Sequence, residues 1–218
     1  EHFSIWSTLS NKEIINNIDE IYITASGGPF YKLPRSKFSK ITIKDAIKHP
    51  NWKMGKKISV DSSTMMNKVF EIIEAKNIFD LPIRKLKILT HPQSYLHAII
   101  KFKNGLTNMV IHETDMKIPI FNSIYENTEY YKKIRKLNLN RLNNLNLKQP
   151  NVKKFPLIKI LKKIPKKFSL YETILVSTND TIVELFLKNK INFTSIPKVF
   201  EKLINSKEFK KYKTKVPT

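Results

Sequence analysis

Apolar and polar residues alternate in several short stretches of the chain, and this pattern predicts β-strands. Residues 19–24 form one such stretch and residues 86–90 another. The clearest signal lies over residues 95–112, where two apolar runs flank Asn104-Gly105. Because Asn-Gly is the preferred two-residue turn between antiparallel strands, this region predicts a hairpin.

Other stretches carry apolar residues at every third or fourth position, which predicts helices. Residues 64–78 form the best of them, and Ser62, Ser63 or Thr64 would cap its start. Three further helices are expected late in the chain, over residues 156–164, 171–188 and 194–203.

Strands surrounding one helix, followed by helices alone, predict an α+β chain. We expect a mixed sheet with helices on a face in a first domain, over residues 1–120. Residues 121–152 lack a clear amphipathic period and predict a linker, and residues 153–218 predict a small all-helical C-terminal domain.

The chain is strongly basic, with 40 Lys and Arg against 18 Asp and Glu and a formal net charge of +22. Clustered cations attract nucleic acid. However, only four of these residues are arginine, which base readout and bidentate phosphate contacts favour. A/T-rich codons for Lys, Asn and Ile account for the charge equally well. We therefore expect no nucleic-acid partner, and a lysine-rich nucleic-acid-binding module stays as an alternative.

Cysteine is absent from the sequence, which leaves oxygen and imidazole as the available metal ligands. No apolar run approaches the roughly 18 to 20 residues that a membrane helix needs. Residues 1–9 show no secretory signal. We therefore expect a cytoplasmic protein without a membrane partner.

Candidate chemistry gathers at the predicted start of the 64–78 helix. A helix start presents unpaired amide hydrogens and a partial positive charge, so it attracts phosphate. Ser62 and Ser63 would add hydroxyl donors, Asn67 an amide donor and Lys68 a compact positive charge. The simpler interpretation is a capped helix with a solvated lysine.

Two carboxylates, Glu71 and Glu74, follow on the same predicted helix face. Magnesium and manganese take several oxygen ligands, so these residues are candidate metal ligands, or else a solvated face. Trp52 lies in a predicted loop and would be either a lid over a ligand or a core residue. His97, in the predicted hairpin, is either structural or catalytic.

Four strings of residues carry a resemblance to a known family. They are Ser26–Phe30 (SGGPF), His49–Gly55 (HPNWKMG), Asp61–Lys68 (DSSTMMNK) with Glu71, and His91–His97 (HPQSYLH). In their order and spacing the chain resembles the 1-deoxy-D-xylulose 5-phosphate reductoisomerases, closely over residues 1–120 and more loosely to about residue 205. These enzymes of non-mevalonate isoprenoid biosynthesis catalyse a metal-dependent rearrangement and an NADPH-dependent reduction, which yields 2-C-methyl-D-erythritol 4-phosphate.

The resemblance implies roles for individual residues. The phosphorylated sugar substrate would be bound by Ser26, His49, Ser62, Asn67, Lys68 and Glu71. Glu1 and Glu71 would hold a divalent cation, Mn²⁺ or Mg²⁺, with the family's remaining aspartate and serine just before Glu1. Catalytic roles would fall to Glu71, to His97 and to Trp52 in a flap over the substrate. Met54 and Gly55, next to Trp52, would contact NADPH.

The resemblance also implies a homodimer and an NADPH-binding domain that precedes Glu1. The chain itself has four glycines and no Gly-x-Gly-x-x-Gly string, so a fragment of the enzyme is expected. Two alternatives stay open: the nucleic-acid-binding module with these motifs as relics, and an inactive degenerate fragment. The second is suggested by Val69, which stands where the family has glycine.

Overall fold

The structure is a computed structural model that describes residues 1–9, 12–49, 54–125 and 136–217. The strands are β1 (Ile18–Ala25), β2 (Leu86–Thr90), β3 (Leu96–Phe102) and β4 (Thr107–Ile111). The α-helices are α1 (His2–Trp6), α2 (Lys12–Asn16), α3 (Ile43–Ala46), α4 (Lys56–Thr64), α5 (Met66–Ile78), α6 (Lys117–Ile124), α7 (Leu139–Asn143), α8 (Leu170–Leu187), α9 (Ser195–Ile204) and α10 (Lys207–Lys210). The 3₁₀ helices cover Arg35–Lys40, Ile83–Lys85, Pro156–Lys163 and Lys211–Lys213.

The strands form a mixed four-stranded sheet in the order β2-β1-β3-β4, which confirms the predicted α+β class. β3 pairs antiparallel with both β1 and β4. Ile21 of β1 lies opposite Ile100 of β3, and both side chains are fully buried. β3 is apolar at nearly every position because, as a central strand, it is buried on both faces.

The hairpin between β3 and β4 is confirmed, but its predicted two-residue turn is wrong. The N–H of Gly105 donates to the carbonyl of Phe102, and Gly105 has φ +90°. These features define a three-residue loop in which a glycine in the left-handed region forms a bulge. Asn104 adds a side-chain bond by accepting the N–H of Leu106.

The predicted start of the 64–78 helix is also corrected. Ser62, Ser63 and Thr64 end α4 and do not begin α5, and Met65 between the helices has φ 64°. The Ser63 and Thr64 hydroxyls donate to carbonyls three residues earlier, as such residues do inside helices. The Thr64 hydroxyl also accepts a hydrogen bond from the N–H of Met66, the first residue of α5, at 3.4 Å.

The chain divides into two compact units that interleave in sequence. The sheet unit comprises Glu1–Ser26 and Lys87–Gln149, and the helical unit comprises Gly27–Leu86 and Pro150–Thr218. These limits differ from the predicted boundaries at residues 120 and 152, because the chain after residue 150 packs on the segment before β2. The division into three consecutive segments stays a prediction.

In the sheet unit, α1 packs on β3 and also contacts α6. In the helical unit, α5 packs on the Pro156–Lys163 segment, and α8 packs on α4 and α9. The three helices expected late in the chain are confirmed, the first as a 3₁₀ helix. Over the described ranges, every helix is too short or too polar to span a lipid bilayer.

Candidate active site

Three of the predicted site residues meet on the first turns of α5. The ammonium of Lys68 lies 2.6 Å from Oε2 of Glu71, and the Asn67 amide donates to Oε1 of the same carboxylate at 2.5 Å. Their spacing of three and four residues places them on one helix face. The side chains of Lys68 and Glu71 are only 7% and 15% exposed, so the pair is largely shielded from solvent. We call these three residues the α5 cluster.

Val69, which suggested an inactive fragment, does not interrupt the α5 cluster. Its side chain is fully buried, as is that of Ile72 one turn later. These residues belong to the apolar core of the helical unit, while Lys68 still contacts Glu71. Valine at this position is therefore compatible with the polar arrangement.

Ser62 lies in the last turn of α4, where the chain of Gly28 approaches it closely. Gly28 has φ +67°, and a Cβ at this position would lie 2.6 Å from the Ser62 carbonyl oxygen. Only glycine fits such an approach. The Ser62 side chain is half-buried, and in the described part of the chain its hydroxyl has no hydrogen-bond partner. Unlike the hydroxyls of Ser63 and Thr64, it is available to a ligand.

A polar network centred on the buried Asp61 and Asn179, which the sequence did not predict, supports the last turn of α4. Asn179 of α8 donates to Asp61 at 2.7 Å, and Lys57 lies 2.8 Å from both Asp61 and Asp180. Burial raises the pKa of Asp61 above its usual value, although the bonds from Lys57 and Asn179 oppose the shift. The available signal was the polar run over residues 177–181 (STNDT), which contains Asn179 and Asp180 and interrupts the apolar residues of α8.

In the sheet unit, His97 stacks on His112 with ring centroids 3.6 Å apart and planes 7° apart. Its Nε2 lies 3.1 Å from the His112 carbonyl, which only accepts, so Nε2 carries the proton of the neutral ring. Burial, and then the neighbouring His112, lower the pKa of His97 to about 4, against a smaller opposing effect of Glu1. His97 is therefore neutral at pH 7. His112 was not singled out from the sequence.

The remaining predicted residues are distributed over both units. His49 is half-buried in the helical unit beside a cavity of about 600 Å³, and burial lowers its pKa. Met54 precedes Gly55, which caps the start of α4. Ser26, Glu1 and His97 belong to the sheet unit. That these three residues share a site with the α5 cluster stays a prediction. Trp52 lies outside the described residues.

The α5 cluster supplies some of the oxygen ligands that a Mg²⁺ or Mn²⁺ site needs. Glu71 offers two oriented carboxylate oxygens, and oxygen is the ligand that Mg²⁺ prefers. Within the described ranges, no group of three or more His, Asp or Glu side chains is placed to hold a metal ion. Glu71 therefore fits as one ligand of a set that other oxygen donors would complete.

Two family models match the chain. The 1-deoxy-D-xylulose 5-phosphate reductoisomerase C-terminal domain matches residues 1–79, and the DXP reductoisomerase C-terminal domain matches residues 111–216. Each unit contains matched residues, and the first match includes the α5 cluster.

Curated relatives give the same result over the whole chain. The 1-deoxy-D-xylulose 5-phosphate reductoisomerase of Pelagibacter ubique is 57% identical over 217 residues, which are 100% of this chain and 56% of the relative. That of Persephonella marina is 38% identical over 98% of this chain and 57% of the relative. The chain thus spans about half the length of the curated relatives it matches.

Solved structures share the fold. A crystal structure of DOX-P reductoisomerase in complex with NADPH, fosmidomycin and magnesium superposes with a TM-score of 0.81 at 29% identity, over 96% of this chain and 54% of that one. The 1-deoxy-D-xylulose 5-phosphate reductoisomerase of Zymomonas mobilis in complex with NADPH superposes with a TM-score of 0.82 at 30% identity, over 100% of this chain and 55% of that one.

Proposed function

The chain belongs to the 1-deoxy-D-xylulose 5-phosphate reductoisomerase family, and we propose that it binds the phosphorylated sugar and part of the metal of such an enzyme. The observation that carries the proposal is the α5 cluster, in which Lys68 and Glu71 are held together with little exposure to solvent. Lys68 supplies a cation for the phosphate of such a substrate, and Glu71 supplies a carboxylate for the metal ion that binds its sugar oxygens.

The substrate phosphate would be bound by Lys68 and by the donors around it. Lys68 supplies a compact positive charge in a poorly solvated position, where an ion pair is stronger than in water. Ser62 supplies a hydroxyl without another partner in the described chain. Asn67 holds Glu71 in place by its amide. Ser26 and His49 would complete the substrate site, as the resemblance implies.

Glu71 and Glu1 would hold the divalent cation, Mg²⁺ or Mn²⁺. When bound, this cation supplies a Lewis acid that stabilises negative charge on the sugar oxygens during the rearrangement. His97 would line the same site as an uncharged group, since burial keeps its pKa near 4. A neutral imidazole orients the substrate without competing with the cation.

NADPH would reduce the rearranged sugar to 2-C-methyl-D-erythritol 4-phosphate. Met54, Gly55 and the Trp52 flap would contact NADPH and cover the substrate. Because the sequence contains no Gly-x-Gly-x-x-Gly string, most of the NADPH site would lie in a part of the whole protein outside these 218 residues. The proposal includes a homodimer and a cytoplasmic location.

Ligand-dependent stabilisation tests the proposal on the 218-residue chain. Fosmidomycin or 1-deoxy-D-xylulose 5-phosphate with MgCl₂ should raise the melting temperature, because a ligand that binds only the folded state stabilises it. Lys68→Met should abolish the shift while keeping the volume of the side chain. Lys159→Ala, which removes an exposed lysine of the same unit, is the matched control and should retain it.

Circular dichroism would establish that each variant is folded before the shifts are compared. The proposal fails if the folded wild-type chain shows no shift with either ligand. It also fails if Lys68→Met and Lys159→Ala respond alike.

A further inference from the structure

A cavity of about 410 Å³ in the helical unit is lined by basic and aromatic side chains. Its size falls in the range of about 300 to 1,000 Å³ that is typical of small-molecule sites. The basic residues are Arg35, Lys154 and Lys198, and the aromatic ones are Phe38, Phe155 and Phe193. The function proposed above uses none of these six residues.

The aromatic wall is rigid because its rings pack on one another. Phe193 contacts Phe38 edge-on at 5.9 Å between centroids, and Phe38 lies 6.4 Å from Phe155. All three side chains are less than 10% exposed. Such tilted and edge-on pairs hold ring orientations well. The cavity therefore presents a preformed apolar surface rather than one that a ligand must organise.

Lys154 places a partly buried cation against this wall. Its ammonium donates to the Tyr31 carbonyl at 2.7 Å and lies 5.8 Å and 5.6 Å from the ring centroids of Phe38 and Phe155. Burial lowers its pKa. In the described part of the chain no carboxylate lies within ion-pair distance of it. A carbonyl dipole and two ring faces stabilise its charge.

The other charges of the lining leave the cavity electropositive. Arg35 and Lys198 are exposed, and neither pairs with a described carboxylate. One acidic residue, Glu201, also lines the cavity, and its Oε1 lies 3.9 Å from the ammonium of Lys163. Three cations thus face one carboxylate that another lysine already attracts.

We propose that this cavity binds a phosphate monoester with an aromatic body. The phosphate, with a charge of about −1.5 to −2 at pH 7, matches the excess of two cations, and Arg35 can contact it bidentately. The aromatic body would pack against the phenylalanine wall.

The site is separate from the α5 cluster. It includes Ser63 and Thr64 of α4, but their hydroxyls already donate to the carbonyls of Val60 and Asp61. Neither Lys68 nor Ser62 lines it. The inference therefore stands independently of the function proposed above.

Calorimetric titration of the 218-residue chain with 1-naphthyl phosphate tests the inference, with inorganic phosphate and 1-naphthol as probes of each half alone. Both halves should bind at least about tenfold more weakly than the ester, because each lacks one set of contacts. Arg35→Gln and Lys198→Gln should each weaken the ester about fivefold, since each removes one partly solvated cation.

Lys202→Gln is the matched control, because Lys202 is exposed on α9 beside Lys198 but does not line the cavity. It should leave the affinity unchanged, as should Lys68→Met. Loss of ester binding in Lys68→Met alone would place the ester at the α5 cluster and overturn the inference. Equal affinities for Lys198→Gln and Lys202→Gln, or no saturable binding, would overturn it as well.

Discussion

The most deeply buried titratable groups differ between the two units. The helical unit buries charges in pairs, such as Lys76 with Glu172 at 2.6 Å, each side chain 5% exposed. The sheet unit buries neutral imidazoles, since burial lowers the pKa of His91, His97 and His112. A buried ion pair becomes unfavourable when either charged partner is removed. A buried neutral imidazole becomes unfavourable when it is protonated. The helical unit should therefore be sensitive to single charge deletions and the sheet unit to acid.

The largest effect is expected where one partner of a buried pair is removed. Lys76→Met should lower the free energy of unfolding by about 3 to 5 kcal/mol, because it leaves the Glu172 carboxylate buried without its cation. Asn77 still donates to this carboxylate at 3.1 Å, so the loss should fall toward the lower end. Urea denaturation followed by circular dichroism measures the change.

The double variant Lys76→Met, Glu172→Leu is the control. Replacing both partners by apolar side chains removes the uncompensated charge and should recover most of the stability. A double variant as unstable as the single one would contradict the comparison, because the loss would then come from packing and not from charge.

The second prediction concerns Gly28, which allows the chain to approach the end of α4. Gly28→Ala should cost about 3 kcal/mol, of which about 1 to 2 comes from φ +67° and the rest from the clash with the Ser62 carbonyl. Gly105→Ala in the sheet unit is the matched control, because Gly105 also has positive φ but open space around it. It should cost only about 1 kcal/mol.

Equal losses in the two alanine variants would contradict the close approach of Gly28 to Ser62. Gly28→Ala should also weaken ligand binding at Ser62. A smaller rise in melting temperature with fosmidomycin and MgCl₂ would measure this effect.

The sequence predicted the local elements well and the contacts between distant segments poorly. The hairpin was predictable because Asn104-Gly105 and its apolar flanks specify it locally. The break at Met65 was not, because a left-handed methionine is set by packing and not by propensity. The α5 cluster followed from spacing along one helix, whereas Asn179 reaches Asp61 across 118 residues. Such a contact has no periodic signature.

A smaller effect is expected from acid, through His97. Its pKa is about 4 in the folded chain and about 6.5 in an unfolded one, so the unfolded state binds more protons between these values. Stability is therefore complete above pH 6.5 and is lost as the pH falls toward 4. Between pH 7 and pH 5 the loss should be about 2 kcal/mol.

His97→Gln isolates this contribution, because glutamine does not titrate. The variant should lose about 2 kcal/mol less than the wild type between pH 7 and pH 5, as urea titrations at the two pH values would measure. His49 and His91 act in the same direction in both proteins, and the raised pKa of Asp61 acts in the opposite direction in both, so these effects cancel. His112 stacks on His97, so the difference between the two proteins reports the stacked pair. An identical pH response in the two proteins would show that His97 is solvated.

The smallest change in stability is expected from a solvent-exposed ion pair. Lys101 and Asp19 of the sheet unit lie 2.7 Å apart, a distance close to that of the buried Lys76 pair, but their side chains are 47% and 44% exposed. Lys101→Ala should change the free energy of unfolding far less than Lys76→Met does, because solvent and salt screen the attraction between Lys101 and Asp19. The change should vanish in 1 M NaCl, whereas that of Lys76→Met should persist. If the two variants were equally destabilised and equally sensitive to salt, burial would not be what distinguishes the charges of the two units.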